Sequence, residues 1–169
     1  MKSALFPERF ARVITSNTGL PLGQGEGEFM KMWVGMMREA TEFPWPMLEA
    51  GMERKITPEE LAAYRAPFPT SEYESGLIQF PLLIAVQPDN PGAPLNRAAW
   101  PKLCAFPRPF LTLWGALDPV AKGGDARLQA HVAGAKGQPH HTFEKASHFI
   151  QEDVPEGLVE HMTAFLEAK

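Results

Sequence analysis

Apolar positions along this chain follow two different periods. Phe29, Met32, Trp33, Met36 and Met37 stand at i, i+3, i+4, i+7 and i+8, which predicts an amphipathic, methionine-rich helix. Phe110-Leu111-Thr112-Leu113-Trp114-Gly115 is instead a nearly continuous apolar run of strand length, as expected of a strand covered on both faces in a parallel sheet. A β-branched run, Phe10 to Ser16, reads as another strand, entered from the stub of a helix that Pro7 closes and ended by the turn residues Asn17-Thr18-Gly19-Leu20-Pro21. His140-His141-Thr142-Phe143, after the turn Gly137-Gln138-Pro139, reads as a third, short strand. Asp125 to Ala133 is a plausible helix, and Pro155 opens a final one with Leu158, Met162, Phe165 and Leu166 on one stripe.

Local capping signals refine the middle of the chain. In Thr57-Pro58-Glu59-Glu60 the threonine is placed as N-cap, proline at the first helical position and Glu60 at the third, so cap and glutamate satisfy each other's backbone donors. That helix runs through Leu61, Ala62 and Tyr64 until Pro67 and Pro69 break it. Gly76 to Val86 reads as a helix interrupted by Pro81, and Pro88 to Pro94 as a loop. Strand, helical insert, strand, helix, strand, helix is α/β order: about three parallel strands with flanking helices, and a helical cap inserted after the first strand. The expected division is a core from 1–21 and 107–169, with a cap, or lid, from 22–106.

Composition narrows the classes of function. With 169 residues and 44 % hydrophobic positions the chain is the size and apolarity of one ordinary globular domain, so intrinsic disorder is not expected. Sixteen Lys and Arg against 20 Asp and Glu give a formal charge of −4, and no basic run occurs, so nucleic acid is not an expected partner. No apolar stretch has the length of a membrane span, and Met1 to Arg9 lacks a signal-peptide core, so a cytoplasmic protein without a membrane partner is expected. The single cysteine, Cys104, excludes an internal disulfide and lacks the basic or helix-start context of a reactive thiol. Leu22-Gly23-Gln24-Gly25-Glu26-Gly27-Glu28 alternates glycines without the G-x-G-x-x-G spacing, carries glutamates and is not expected to hold phosphate.

In open parallel sheets ligands bind outside the carboxyl ends of the strands. Asp118, in Gly115-Ala116-Leu117-Asp118-Pro119-Val120, follows one strand there, and His148, in Glu144-Lys145-Ala146-Ser147-His148-Phe149, follows the next. Such a pair can meet across the sheet top as a histidine general base whose tautomer is set by the carboxylate. The competing reading is an aspartate in an Asp-Pro turn and an unrelated surface histidine. His140 and His141 alternate on a strand, so their rings point to opposite faces, and no metal site or cofactor is expected.

Four motifs in order, Phe6-Pro7-Glu8-Arg9-Phe10-Ala11-Arg12-Val13 with Asn17 to Pro21, Ala63 to Pro69 with Tyr73 to Pro81, Trp114 to Pro119, and Ser147 to Asp153, resemble the α/β-hydrolase superfamily and within it the haloalkane dehalogenases. The resemblance implies a two-step displacement on a small halogenated hydrocarbon: an aspartate makes an alkyl-enzyme ester, then a histidine-activated water hydrolyses it. It implies that His148 is the base and Asp118 its orienting acid. It also implies that Trp33 is a cap-borne halide ligand, although a lid-packing aromatic is the other reading of that residue. Tyr64 and Tyr73 could activate an epoxide, as lid tyrosines do in related epoxide hydrolases, but their Pro-rich setting favours packing.

The sequence departs from the family in one large respect. It contains neither the Gly-rich elbow that carries the aspartate nucleophile nor G-x-S-x-G, nor the family's His-Gly segment or second halide-binding tryptophan. By itself the chain is therefore expected to be inactive, and the missing N-terminal half is a possible partner. The alternatives are an epoxide or ester hydrolase of the same fold, or a non-catalytic module binding a partner chain.

Overall fold

The computed structural model describes residues 2–24 and 27–168, so Gly25 and Glu26 of the glycine-alternating loop lie outside the described residues. Elements follow in the order α1 (Lys2–Leu5), a 3-10 turn (Pro7–Arg9), β1 (Val13–Ser16), α2 (Glu28–Glu39), α3 (Pro46–Glu49), α4 (Pro58–Arg65), a 3-10 turn (Ser71–Glu74) and α5 (Ser75–Leu82). They continue with α6 (Ala93–Cys104), β2 (Phe110–Gly115), α7 (Gly124–His131), a 3-10 turn (Ala133–Ala135), β3 (His141–Phe143), α8 (Ile150–Asp153) and α9 (Pro155–Glu167). The three strands form one parallel sheet in the order β1-β2-β3, with Val13 opposite Phe110 and Leu113 opposite His141.

β2 is buried along its whole length, as its sequence requires, and alternation sends its side chains to two separate cores. Phe110 and Trp114 join Leu103, Phe106, Leu128 and Val132 on one face. Leu111 and Leu113 join Phe143, Ile150, Leu158 and Phe165 on the other. Burial of each large side chain contributes about 1.5–3 kcal/mol, which is why the middle strand dominates the core. Thr112, the polar exception, is fully buried but satisfied: Gln129 Nε2 donates to its hydroxyl at 2.8 Å, and His140 Nδ1 lies 3.1 Å from that hydroxyl and accepts the Thr112 N–H at 3.0 Å.

Several expectations are corrected in detail. The first strand starts at Val13 rather than Phe10, because pairing begins where the Val13 N–H donates to Pro109 O just before β2. The loop expected through Pro94 ends at Gly92, and α6 carries Pro94 in its first turn, where proline removes no helical bond, and Pro101 in its interior. The helix expected to Val86 stops at Leu82. Met32 and Met36 are exposed, which narrows the apolar stripe of α2 to Phe29, Trp33 and Met37, and Leu166 points to solvent from α9. Tyr73, expected to pack, is 61 % exposed. The capping box at α4 forms as expected, with Glu60 N donating to Thr57 Oγ1 at 3.2 Å and Thr57 N to the Glu60 carboxylate at 2.8 Å.

Helices α2 to α6 lie between β1 and β2 in the chain, where the cap is expected, and the last of them, α6, packs Ala99 and Leu103 into the core beside Phe106 and Phe110. Within the cap, Leu48, Met52 and Ile56 make a small cluster that Leu61, Tyr64 and Phe149 extend. Phe149 is the residue after His148, so the cap touches the chain next to the candidate base. Among the described residues no helix is long and apolar enough to cross a membrane.

Candidate active site

The carboxyl ends of the strands converge as the α/β order requires. Asp118 is 2 % exposed, and its Oδ1 accepts the Val120 N–H at 2.7 Å within the Asp-Pro turn that follows β2. His148, on the turn after β3, places Nδ1 3.2 Å from both Asp118 oxygens. A carboxylate only accepts, so Nδ1 carries the proton, and in the neutral ring Nε2 then keeps its lone pair, the tautomer a general base needs. The two candidates separated by 30 positions in the chain are thus brought together.

Asn17 holds this arrangement, and the sequence marked it only as a turn residue. It caps β1, is buried, and among the described non-glycine residues it alone adopts a positive φ, 39°. Its Nδ2 donates to Ser147 O at 2.7 Å and His148 O at 2.8 Å, while its Oδ1 accepts the Gly115 N–H at 2.9 Å. One side chain therefore joins the ends of β1 and β2 to the backbone of the candidate base. Gly115 is required beside it, because a Cβ there would meet the carbonyl oxygens of Ala146 and Ser147 at 2.5 Å.

His148 borders a cavity of about 540 Å³ that is apolar on nearly every side. Phe29, Trp33, Phe43 and Leu77 wall it from the cap, and Pro119 and Val120 from the turn that carries Asp118. Trp33 thus faces the same space as His148. The indole N–H groups of Trp45 and Trp114 are taken by Glu74 and by Ala121 O, whereas that of Trp33 has no acceptor among the described residues. Tyr64 and Tyr73 do not border the cavity, and among the described residues no carboxylate lines it.

Glu74 organises the cap wall and was not marked by any sequence signal. Its carboxylate is 6 % exposed and accepts the Phe43 N–H at 2.7 Å and the Trp45 indole N–H at 2.8 Å. Those donors, the Phe43 amide first, hold its pKa below the ordinary 4.5 despite burial. The Phe43 ring so fixed meets Trp33 edge-on at 6.1 Å and Trp45 at 5.1 Å.

The other histidines and the cysteine lie elsewhere. His140 turns inward to Thr112 and to Ala135 O, while His141 stacks on His161 at 4.1 Å, where burial holds its pKa below the usual 6.5. Burial likewise pushes the Cys104 thiol up, away from reactivity.

Comparison with known proteins places the chain among similar sequences and folds. The chain is 40 % identical over 162 residues to the haloalkane dehalogenase of Psychrobacter cryohalolentis, covering 95 % of this chain and 54 % of that protein. It is 37 % identical over 163 residues to haloalkane dehalogenase 1 of Mycobacterium bovis, again with 95 % and 54 % covered. The chain is thus similar to haloalkane dehalogenases, and its fold is a partial α/β-hydrolase fold.

The chain spans about half the length of the curated relatives it matches, corresponding to their C-terminal portion. Its fold superposes on the tetrameric haloalkane dehalogenase of Paraglaciecola agarilytica with a TM-score of 0.80 at 23 % identity, covering 99 % of this chain and 55 % of that one. A putative ancestral haloalkane dehalogenase gives 0.82 at 20 % identity, covering 98 % and 62 %. No family model matches the chain.

Proposed function

We propose that this chain supplies the base, its orienting acid and the cap halide ligand of a haloalkane dehalogenase, with the nucleophile supplied by residues beyond these 169. In that reading the core, 1–21 and 107–169, carries His148 and Asp118, and the cap, 22–106, carries Trp33. The observation that carries the proposal is His148, oriented by Asp118, on the wall of an apolar cavity that Trp33 closes from the cap.

Each residue has a step that its chemistry suits. A carboxylate oxygen attacks the halogen-bearing carbon, the carbon–halogen bond breaks, and the halide leaves with the bonding pair, received by the indole N–H of Trp33. His148 Nε2 then takes a proton from water as the water oxygen attacks the ester carbonyl. The ester bond breaks, the leaving alkoxide takes the remaining water proton to depart as the alcohol, the carboxylate is regenerated, and the imidazolium gives its proton to solvent. Asp118 stabilises the transient imidazolium through Nδ1, and the apolar walls exclude competing water. The substrate is a small uncharged haloalkane, since among the described residues no Asp, Glu, Lys or Arg lines the cavity.

The test is complementation with an N-terminal segment bearing the family's aspartate elbow. The mixture is expected to release bromide steadily from a bromoalkane, and His148→Ala to reduce this to a single equivalent per site, because only ester hydrolysis needs the base. The isolated chain is expected to release none. Steady release that survives His148→Ala would overturn the assignment.

A further inference from the structure

The carboxylate of Asp153, at the end of α8, is shared between the cap and the residue before His148. Its Oδ1 accepts the backbone N–H groups of Glu53 at 2.8 Å and Arg54 at 3.0 Å, both in the cap, and its Oδ2 accepts that of Ser147 at 2.8 Å. On the other side of His148, the Phe149 N–H donates to Gly51 O in the same cap turn at 2.8 Å. His148 is therefore bracketed by two amides, one tied to the cap through Asp153 and the other tied to it directly.

We propose that Asp153 is a positioning residue that couples the cap to the base, holding His148 in register with Asp118 when the cap sits on the core. This rests on the reading of His148 as the base. Three N–H groups converge on this side chain, and only an acceptor without hydrogens receives them all; asparagine would turn an NH₂ toward at least one. The side chain of its neighbour Glu152 also joins the cap, pairing with Arg54 and accepting the Tyr64 hydroxyl at 2.6 Å, and only the Glu152 backbone N–H, donating to Phe149 O at 2.8 Å, reaches the 147–149 turn among the described residues. The two adjacent carboxylates thus divide the work: Glu152 fastens the cap to α8, and Asp153 passes the cap's position to the base.

The experiment uses the whole chain with ¹⁵N-labelled histidine and compares Asp153→Asn with Glu152→Gln. Long-range ¹H–¹⁵N spectra are expected to show His148 as the Nδ1–H tautomer in the unmodified chain, as a mixture of tautomers in Asp153→Asn, and unchanged in Glu152→Gln. Exchange of the Phe149 N–H, which donates to Gly51 O and not to the Asp153 carboxylate, should accelerate about tenfold in Asp153→Asn alone. An unshifted His148 in Asp153→Asn, or an equal shift in Glu152→Gln, overturns the coupling. Should Asp153→Asn fail to fold, native-state exchange of the unmodified chain decides: the Glu53, Arg54 and Ser147 amides should open as one unit, and earlier opening of Glu53 and Arg54 overturns the proposal. None of these readouts needs turnover, so they stand apart from the complementation test of His148 as base.

Discussion

Asn17 holds the backbone of His148: its Nδ2 donates to the His148 carbonyl at 2.8 Å from the end of a strand 131 positions away in the chain. The same side chain serves Ser147 O and the Gly115 N–H, so its loss strands groups on two other segments. Asn17→Ala should destabilise the fold by about 2–4 kcal/mol in urea unfolding, since each buried group left unpaired costs about 1–3 kcal/mol. Asn17→Asp should be no rescue, because a carboxylate still accepts from Gly115 but donates to neither carbonyl.

Gly115→Ala should act on the same junction by crowding. A Cβ at 2.5 Å from the carbonyls of Ala146 and Ser147 forces backbone to move, and neither atom is the flexible end of a side chain. A loss of about 1–3 kcal/mol is expected. The His148 ring signals should shift in the same spectra, whereas Gly76→Ala, in open space on α5, should leave them in place.

Acid should loosen the cap before the core. Amide and indole donors hold Glu74 below its ordinary 4.5, and the Tyr64 hydroxyl and Arg54 do the same for Glu152. A depressed folded value means that these carboxylates stabilise fully above the unfolded pKa, and that the contribution is lost as pH falls from about 4.5 through the lowered folded values. Hydrogen exchange at the Phe43 amide should accelerate in that window, and Glu74→Gln should make it fast at neutral pH already.

Alkali should weaken the Glu152 latch from the other side. Burial first, then the bond to Glu152, pushes the Tyr64 phenol up from 10.0 to about 12. Its raised folded value keeps the stabilisation intact below the unfolded pKa and removes it as pH rises from about 10 toward 12. Of the two tyrosines in the chain, Tyr64 should account for an absorbance step near pH 12 that Tyr64→Phe abolishes.

Reading the chain by pattern succeeded where structure is local. The Phe110–Gly115 run became a strand buried on both faces, and the Thr57–Glu60 box closed with both of its bonds. It failed where prolines gave mixed signals: Pro94 and Pro101 masked α6, one proline lying in the first turn and the other tolerated inside the helix. It was too generous where an apolar residue has nothing to pack on, as at Met32, Met36 and Leu166. Asp118 and His148 were legible because both follow strands, and Trp33 through resemblance; Glu74 and Asp153, ordinary acids in a chain with 20, were not.

Taken by itself, the sequence determined the α/β order, the middle strand, the helical insert between the first two strands and the placing of the candidate acid and base after strands, because these follow from periodicity, capping chemistry and strand ends, all set by residues near one another in the chain. Tertiary structure alone decided how the site is held. The carbonyls that Asn17 receives, the amides that converge on Asp153 and the indole that Glu74 accepts come from distant segments, and a hydrogen bond between segments that meet only on folding leaves no periodic trace in sequence.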